Sequence, residues 1–319
     1  MRKVVLGIDL GGTNIKAGIV DDSGEVLKHT VTPTQAEQGR DALLGRLRAI
    51  IEDFRAHAAS TGLLPLGIGV GTAGYVEPLS GRVAYATPNL PGWTGLQLRE
   101  ALEQASSLPV AVANDAHAMA VGEAWLGAGR PYRDFICVTL GTGVGGSRII
   151  DGRPDYGGSG FPGGFGHMVI AWGGQPCNCG LSGCYEQYAS VTALLRLAAE
   201  AGLRGEELPD GAKSIFDLAA SGHLAAPAVI ERYAEYTAVG LISLAHVLNP
   251  QAIVLGGAVT AQGDALLGRI RRIVRERAMP VYRETPIVAA ELGNAAGVAG
   301  AAKLAWDRLS GSSGPDADV

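Results

Sequence analysis

The first apolar run of the chain, VVLGIDL from Val4, ends on Asp9 and Leu10 and breaks at a Gly-Gly-Thr-Asn turn. IKAGIVDD then returns, and DSGEVLKHTVT supplies another turn and a third run. Short apolar runs punctuated by turn residues predict strands, so the first thirty residues read as an antiparallel three-stranded meander. The period then changes: Leu43, Leu44, Leu47, Ile50, Ile51 and Phe54 fall at helical spacing with Arg and Glu between them. That is the pattern of an amphipathic helix. LGIGVGT reads as a buried strand, TPNLPGW as a Pro-rich loop, LQLREALEQAS as a helix and PVAVAND as a strand ending on polar residues. The order is β-β-β-α-β-α-β.

A second meander begins at DFICVTLGTGVGGSRIIDGR. It repeats the plan of the amino terminus: apolar strand, Gly and Thr turn, returning strand, acidic turn. Internal duplication is the simplest account. From Leu194 to about Val274 the pattern is mostly helical apart from the strand AIVLGGAV, and residues 293–308 read as a final helix. The last ten residues, SGSSGPDADV, read as a disordered tail. The expected layout is a small N-terminal α/β domain over 1–115, with the C-terminal helix 295–309 packing back on it. A large α/β domain over 116–294 and a tail over 310–319 complete it.

Composition narrows the function classes. A chain of 319 residues, 47% hydrophobic and 18% charged, suits two ordinary cores. A net charge of −5 and a pI near 5.7 argue against nucleic acid as a partner. No start of signal-peptide type is present, and no apolar run reaches the roughly 18 residues of a membrane span. A soluble, cytoplasmic protein without a membrane partner is expected. Four cysteines in so long a chain point to reduced thiols rather than a disulfide framework.

The turns carry candidate chemistry. In DLGGT, Asp9 lies near a strand end, while Gly11 and Gly12 let the backbone approach a ligand and offer amides to phosphate oxygens. Thr13 adds a hydroxyl. Gly141, Thr142 and Gly143 repeat this logic, and Gly256 and Gly257, after AIVL, would let an adenosine lie close to the backbone. One such turn is ordinary hairpin geometry; three at the ends of apolar strands point to a nucleoside triphosphate. The P-loop pattern is absent. GTGVGG has the Rossmann spacing but leads into a strand, SRII, where that motif requires a helix.

Asp115 emerges at the end of PVAVAND, where α/β sheets bind ligands. A carboxylate there can take the proton of an attacking hydroxyl in phosphoryl transfer, with Asn114 orienting the acceptor. Taken alone, Asn-Asp before a helical run is equally a helix N-cap. Asp9 suits Mg²⁺, held directly or through water. Lys16, on a strand, is read as an exposed residue outside the site. Residues 166–187, GHMVIAWGGQPCNCGLSGCYEQ, set three cysteines within eight positions and His167 ten residues ahead of the first. His167, Cys177, Cys179 and Cys184 make up a complete Cys₃His set, the composition of a closed structural zinc site. A chance Cys-rich loop and a redox pair are the alternatives. Cys137, inside FICVTL, reads as core.

Asp9 to Thr13, the turn at 141–146, NLPGW at 89–93, VANDAHAMAVGEAWLGAG at 112–129 and CNCGLSGCYEQYAS at 177–190 together resemble the ROK family of bacterial sugar kinases and repressors. The resemblance spans nearly the whole chain. It implies an actin-like, hexokinase-like ATPase fold, with two α/β domains flanking a cleft that takes ATP and a sugar. It also implies Zn²⁺ on the four ligands above, with Glu186 and His167 at the sugar, and a homo-oligomer, dimer or tetramer. The expected activity is ATP- and Mg²⁺-dependent phosphorylation of glucose to glucose 6-phosphate, with Asp115 as general base. Mannose, fructose, N-acetylglucosamine or N-acetylmannosamine are alternative acceptors, and a non-catalytic sugar-binding protein is the alternative class. The family's repressors carry a DNA-binding module ahead of the kinase-like body; a first core strand at Val4 leaves no room for one, so an enzyme is expected.

One position departs from the family pattern. The kinases usually read Gly-Glu-x-Gly-His before the cysteines, with the Glu bonding sugar hydroxyls, whereas here GGFGH puts Gly164 in that place. Compensation from the loop 152–166, a different sugar, or weaker binding would each account for it.

Overall fold

The computed structural model describes residues 1–161 and 163–311. Strands β1 (Arg2–Leu10), β2 (Asn14–Asp21) and β3 (Val26–Pro33) form the expected meander. Helix α1 (Arg40–Thr61) follows, then β4 (Leu63–Thr72), α2 (Leu98–Ser106), β5 (Val110–Asn114) and α3 (Asp115–Leu126). A short hairpin, Tyr75–Val76 with Val83–Tyr85, lies between β4 and the Pro-rich loop. The sheet order is β3-β2-β1-β4-β5, with β2 antiparallel to β1 and with β1, β4 and β5 parallel.

Strand alternation divides β1 between two faces. Val4, Leu6, Ile8 and Leu10 join the core beneath α1 and α2, which includes all six apolar positions expected on α1. Val5 faces the other way, toward Val298, Ala302 and Ala305 of α9 (Ala296–Ser310). That helix lies flush on the sheet because glycines admit it. A Cβ on Gly7 would come 2.2 Å from the Val298 carbonyl oxygen, and one on Gly69 only 1.7 Å from that of Ala301. Helices α3 and α9 approach each other in the same manner, through Gly122 against the Ala296 carbonyl and Gly300 against that of Ala118.

The repeated plan is β6 (Phe135–Leu140) and β7 (Val144–Ile150), antiparallel, with β8 (Ala252–Gly256) parallel to β6 and β9 (Ile287–Ala289) parallel to β8. An antiparallel hairpin followed by two parallel strands thus occurs twice, as the duplicated pattern predicts. Helices α4 (Glu186–Ala189), α5 (Val191–Glu200), α6 (Ala212–Ala220), α7 (Ala226–Leu248) and α8 (Asp264–Arg277) share a core with Ile136, Val138 and Leu140 of β6. Cys137 is fully buried in its strand, as expected.

Contacts divide the chain differently from the expected boundary at 115. The first unit takes Met1–Arg130, the segment from Arg153 and the chain from Asn294 on; the second takes Pro131–Gly152 and Gly163–Gly293. Helix α3 stays with the first unit because its glycine contacts are to α9. Of the tail expected over 310–319, Ser310 instead closes α9 and Gly311 caps it with a left-handed φ of 70°; residues 312–319 lie outside the described residues.

Candidate functional site

In the first unit the chemistry gathers at the carboxyl ends of parallel strands, where helices leave room for ligands. The register sets Asp9 opposite Gly71 and Thr72 opposite Asn114. Across the hairpin Asp9 is paired with Lys16, whose Nζ lies 3.9 Å from Asp9 Oδ2 and donates to Asn294 Oδ1 at 3.0 Å. Burial pushes the Asp9 carboxyl up to about 6; Lys16 draws it down, and the charge of Asp115 adds to the rise. Lys16 therefore belongs to the site, although the strand pattern alone put it outside. Counting residues across the Gly-Gly turn would have paired the two.

The turn after β1 is tight. Gly11 donates its N–H to the Asn14 carbonyl at 3.1 Å, the Thr34 hydroxyl donates to the Gly11 carbonyl at 2.7 Å, and the Thr34 N–H to that of Thr13 at 2.9 Å. Gly12 has a φ open to any residue and empty space where a Cβ would stand. Neither backbone nor packing demands glycine there.

Asn114 plays the capping part that its position allowed. Its Oδ1 accepts from the N–H groups of Ala116 and His117 at 3.0 and 3.2 Å, and its Nδ2 donates to the Gly74 carbonyl at 2.9 Å. Its side chain also hydrogen-bonds the Asp115 carboxylate. Asp115, partly buried beside it, accepts from the Ala116 N–H at 2.9 Å. Burial raises its carboxyl above the ordinary range, against the pull of these hydrogen bonds. A small pocket next to Asn114 is lined by Tyr75, His117, Tyr156 and Phe161 among others. His117 is pushed down to about 4 by burial, which keeps it neutral, and its ring lies 5.0 Å from that of Tyr156. Apart from His117, which lies within VANDAHAMAVGEAWLGAG, no motif or period in the sequence pointed to these aromatic groups.

In the second unit the turn between β6 and β7 is held by the start of α5. The Val191 N–H donates to the Gly141 carbonyl at 2.8 Å and the Thr192 hydroxyl to that of Thr142 at 2.8 Å. Gly141, like Gly12, has an unrestricted φ, and the nearest atom to its missing Cβ is 4.0 Å away. Gly256 pairs with Thr139 at the same sheet end. Gly257 has reasons of its own to be glycine: a φ of 99°, and the Leu140 carbonyl oxygen 2.2 Å from where a Cβ would be.

His167, Cys177, Cys179 and Cys184 converge, with one ligand atom from each lying within 4.8 Å of the others. Cys177 Sγ is 3.7 Å from His167 Nδ1, and Cys179 Sγ is 3.6 Å from Cys184 Sγ. Metal–sulfur bonds of about 2.3 Å in a tetrahedron give edges of roughly 3.8 Å, so these gaps have the right size for zinc. The thiols are free, with no disulfide among the four cysteines of the chain. Burial pushes the Cys184 thiol up to about 12. Two small bridges, Val169 with Cys184 and Pro176 with Ser182, fold the loop back on itself and bring Cys184 to its partners. Glu186 opens α4 directly after the cluster, and its Oε1 accepts from Cys177 Sγ at 3.1 Å. Gly164 begins a 3₁₀ turn ending at His167 and brings no carboxylate there.

The family model described as the ROK family matches residues 5–308. The chain is 36% identical over 308 residues to the glucokinase of Halalkalibacterium halodurans, with 92% of each chain covered. It is 32% identical to the xylose repressor of Caldicellulosiruptor bescii, covering 86% of this chain and 70% of that one. Among solved structures, a ROK family glucokinase from Streptomyces griseus in complex with glucose and AMPPNP aligns with a TM-score of 0.83 and 35% identity, covering 95% of this chain and 99% of the other. The duplicated α/β sheet is that of the actin-like ATPase fold expected from the sequence.

Proposed function

The chain belongs to the ROK family, and from that membership we infer that it is a sugar kinase, transferring the γ-phosphoryl group of ATP to glucose to give glucose 6-phosphate. The observation that carries the chemistry is Asp115, a desolvated carboxylate at the end of β5 with its basicity raised by burial. An acceptor hydroxyl must lose its proton as it bonds phosphorus. A carboxylate more basic than usual is suited to take it, an effect typically worth about 10² to 10⁴ in rate. Asn114, hydrogen-bonded to that carboxylate, orients the sugar beside it.

The turns at Gly11, Gly12 and Thr13 and at Gly141, Thr142 and Gly143 offer amides to the phosphates, and the clearance at Gly12 and Gly141 supports this reading. Gly256 and Gly257 border the adenosine, although packing already explains Gly257. Mg²⁺ neutralises phosphate charge, and Asp9, ionised and only partly covered, would hold it. The four-ligand cluster fits Zn²⁺ in a closed site, which supplies folding energy and fixes the loop before Glu186. His167 turns Nδ1 toward the cysteines, so Nε2 is the nitrogen left for a sugar hydroxyl, and Glu186 accepts hydrogen bonds from others. Among the described residues no helix is long and apolar enough to cross a membrane. A cytoplasmic dimer or tetramer completes the proposal.

A coupled assay with ATP and glucose, mannose, fructose, N-acetylglucosamine and N-acetylmannosamine tests it. Glucose is expected to give the highest kcat/KM. Sugar binding without turnover of any member would replace the kinase by a silent sugar-binding protein.

A further inference from the structure

We propose that Gly143 is a positioning residue: by having no side chain it seats the carboxylate of Glu186, tying the second glycine turn to the group that receives the sugar. The proposal rests on the assignment of Glu186 to sugar hydroxyls made above and adds a role for Gly143 beyond offering an amide.

The backbone does not require glycine at this position, because its φ lies outside the left-handed range. What fills the space is Glu186: a Cβ on Gly143 would stand 2.7 Å from Oε2 and 3.8 Å from Cδ. Gly141, two residues earlier in the same turn, has nothing closer than 4.0 Å. The two glycines therefore differ in purpose, one open and one occupied.

A long side chain usually swings aside from a new methyl group. Glu186 has little freedom to do so. Its other oxygen, Oε1, is backed by the cluster, 3.1 Å from Cys177 Sγ and 3.9 Å from His167 Nδ1. Neither can the turn retreat, since the Gly141 carbonyl is bonded to the Val191 N–H, a few residues beyond Glu186. The carboxylate is thus wedged between the cysteine cluster and the turn, and a methyl group at 143 would displace it.

The test is a set of five variants, four single and one double, with sugar Kd measured by calorimetry without ATP, alongside KM for glucose and for ATP. Gly143→Ala should weaken sugar binding by about tenfold or more with a smaller change in KM for ATP, the reverse of Gly141→Ala. Glu186→Asp, one methylene shorter, should weaken sugar binding alone yet recover affinity when combined with Gly143→Ala, the coupling that a shared space produces. If Gly143→Ala is too unstable to assay, the melting temperature bears the same comparison: Glu186→Asp restores it where the clash is the cause. An effect of Gly143→Ala confined to ATP, or damage that simply adds in the double variant, overturns the proposal. Glu186→Gln separates the two layers. Unchanged sugar affinity in that variant removes Glu186 from the sugar and the proposal with it, whereas weakened affinity with a harmless Gly143→Ala removes only the role of Gly143.

Discussion

Lys16 reaches across the β1–β2 hairpin to within 3.9 Å of Asp9, its partner in the strand register, and pulls this partly buried carboxyl back toward ionisation. Burial pushes Asp9 up to about 6, and the Mg²⁺ role proposed for it requires the charged form. The acid limb of kcat/KM should therefore fall away as pH drops through about 6, with Asp115 contributing to the same coupled limb. Lys16→Met removes the lowering influence and should move the limb to higher pH. A pH–rate profile superimposable on the parent's would release Lys16 from this task.

The same shift carries a cost in stability. Asp9 titrates at 3.8 when unperturbed and at about 6 when folded, so between those values the native state holds more protons than the unfolded chain. Stability consequently falls as pH rises through that window, by on the order of 3 kcal/mol in all, and the loss persists above it. Asp9→Asn, which cannot ionise, should melt higher than the parent at pH 8 while losing turnover, with the two curves converging at pH 4 and below. Equal melting temperatures at pH 8 would show that the buried charge costs nothing.

Asp115→Asn keeps the shape and the bond from the Ala116 N–H but cannot take a proton. Turnover should drop by about 10² to 10⁴ while the sugar Kd stays within a few-fold. Near-parental turnover would remove Asp115 from the chemistry.

What was legible in the sequence follows from how far apart the cooperating residues lie. The meander, α1 and the repeated strand–turn–strand plan are local, and alternation or helical spacing displays them directly. The Cys₃His set is also local, because one short loop holds all four ligands. Asn114 was readable as a cap, since a cap needs only the next three residues. Asp9 beside Gly297 was not readable: a Cβ on Gly297 would fall 2.5 Å from the Asp9 carboxyl carbon, a relationship between the first strand and the last helix. The placement of α3 in the first unit has the same origin, in the paired glycines of α3 and α9. A glycine tolerated for close approach looks the same in sequence as one needed for a turn.

Cys179 is the exposed member of the cluster, whereas Cys177 and Cys184 are buried. Cys179→Ala should reduce zinc, measured by metal analysis after dialysis, to well below one ion per chain and lower the melting temperature. Because the cluster fixes the loop ahead of Glu186, sugar KM should rise along with the loss of metal. Full zinc occupancy in the variant would take Cys179 out of the ligand set, and an unchanged sugar KM in metal-free protein would detach the loop from the sugar.

Gly164 bears on which sugar is preferred. Its turn runs into His167, so a carboxylate restored there would stand three residues from a group assigned to the sugar. A regained hydrogen bond to a hydroxyl contributes about 0.5 to 1.5 kcal/mol, or roughly two- to tenfold in affinity. Gly164→Glu should therefore raise kcat/KM for glucose by such a factor if the contact is simply missing in this chain. If instead the glycine makes room for a bulkier acceptor, the substitution should depress kcat/KM for an N-acetylated hexose and leave glucose unimproved. The two outcomes have opposite signs on the same sugar panel, so the ratio of glucose to N-acetylmannosamine turnover in the variant, relative to the parent, decides between a lost contact and an altered acceptor.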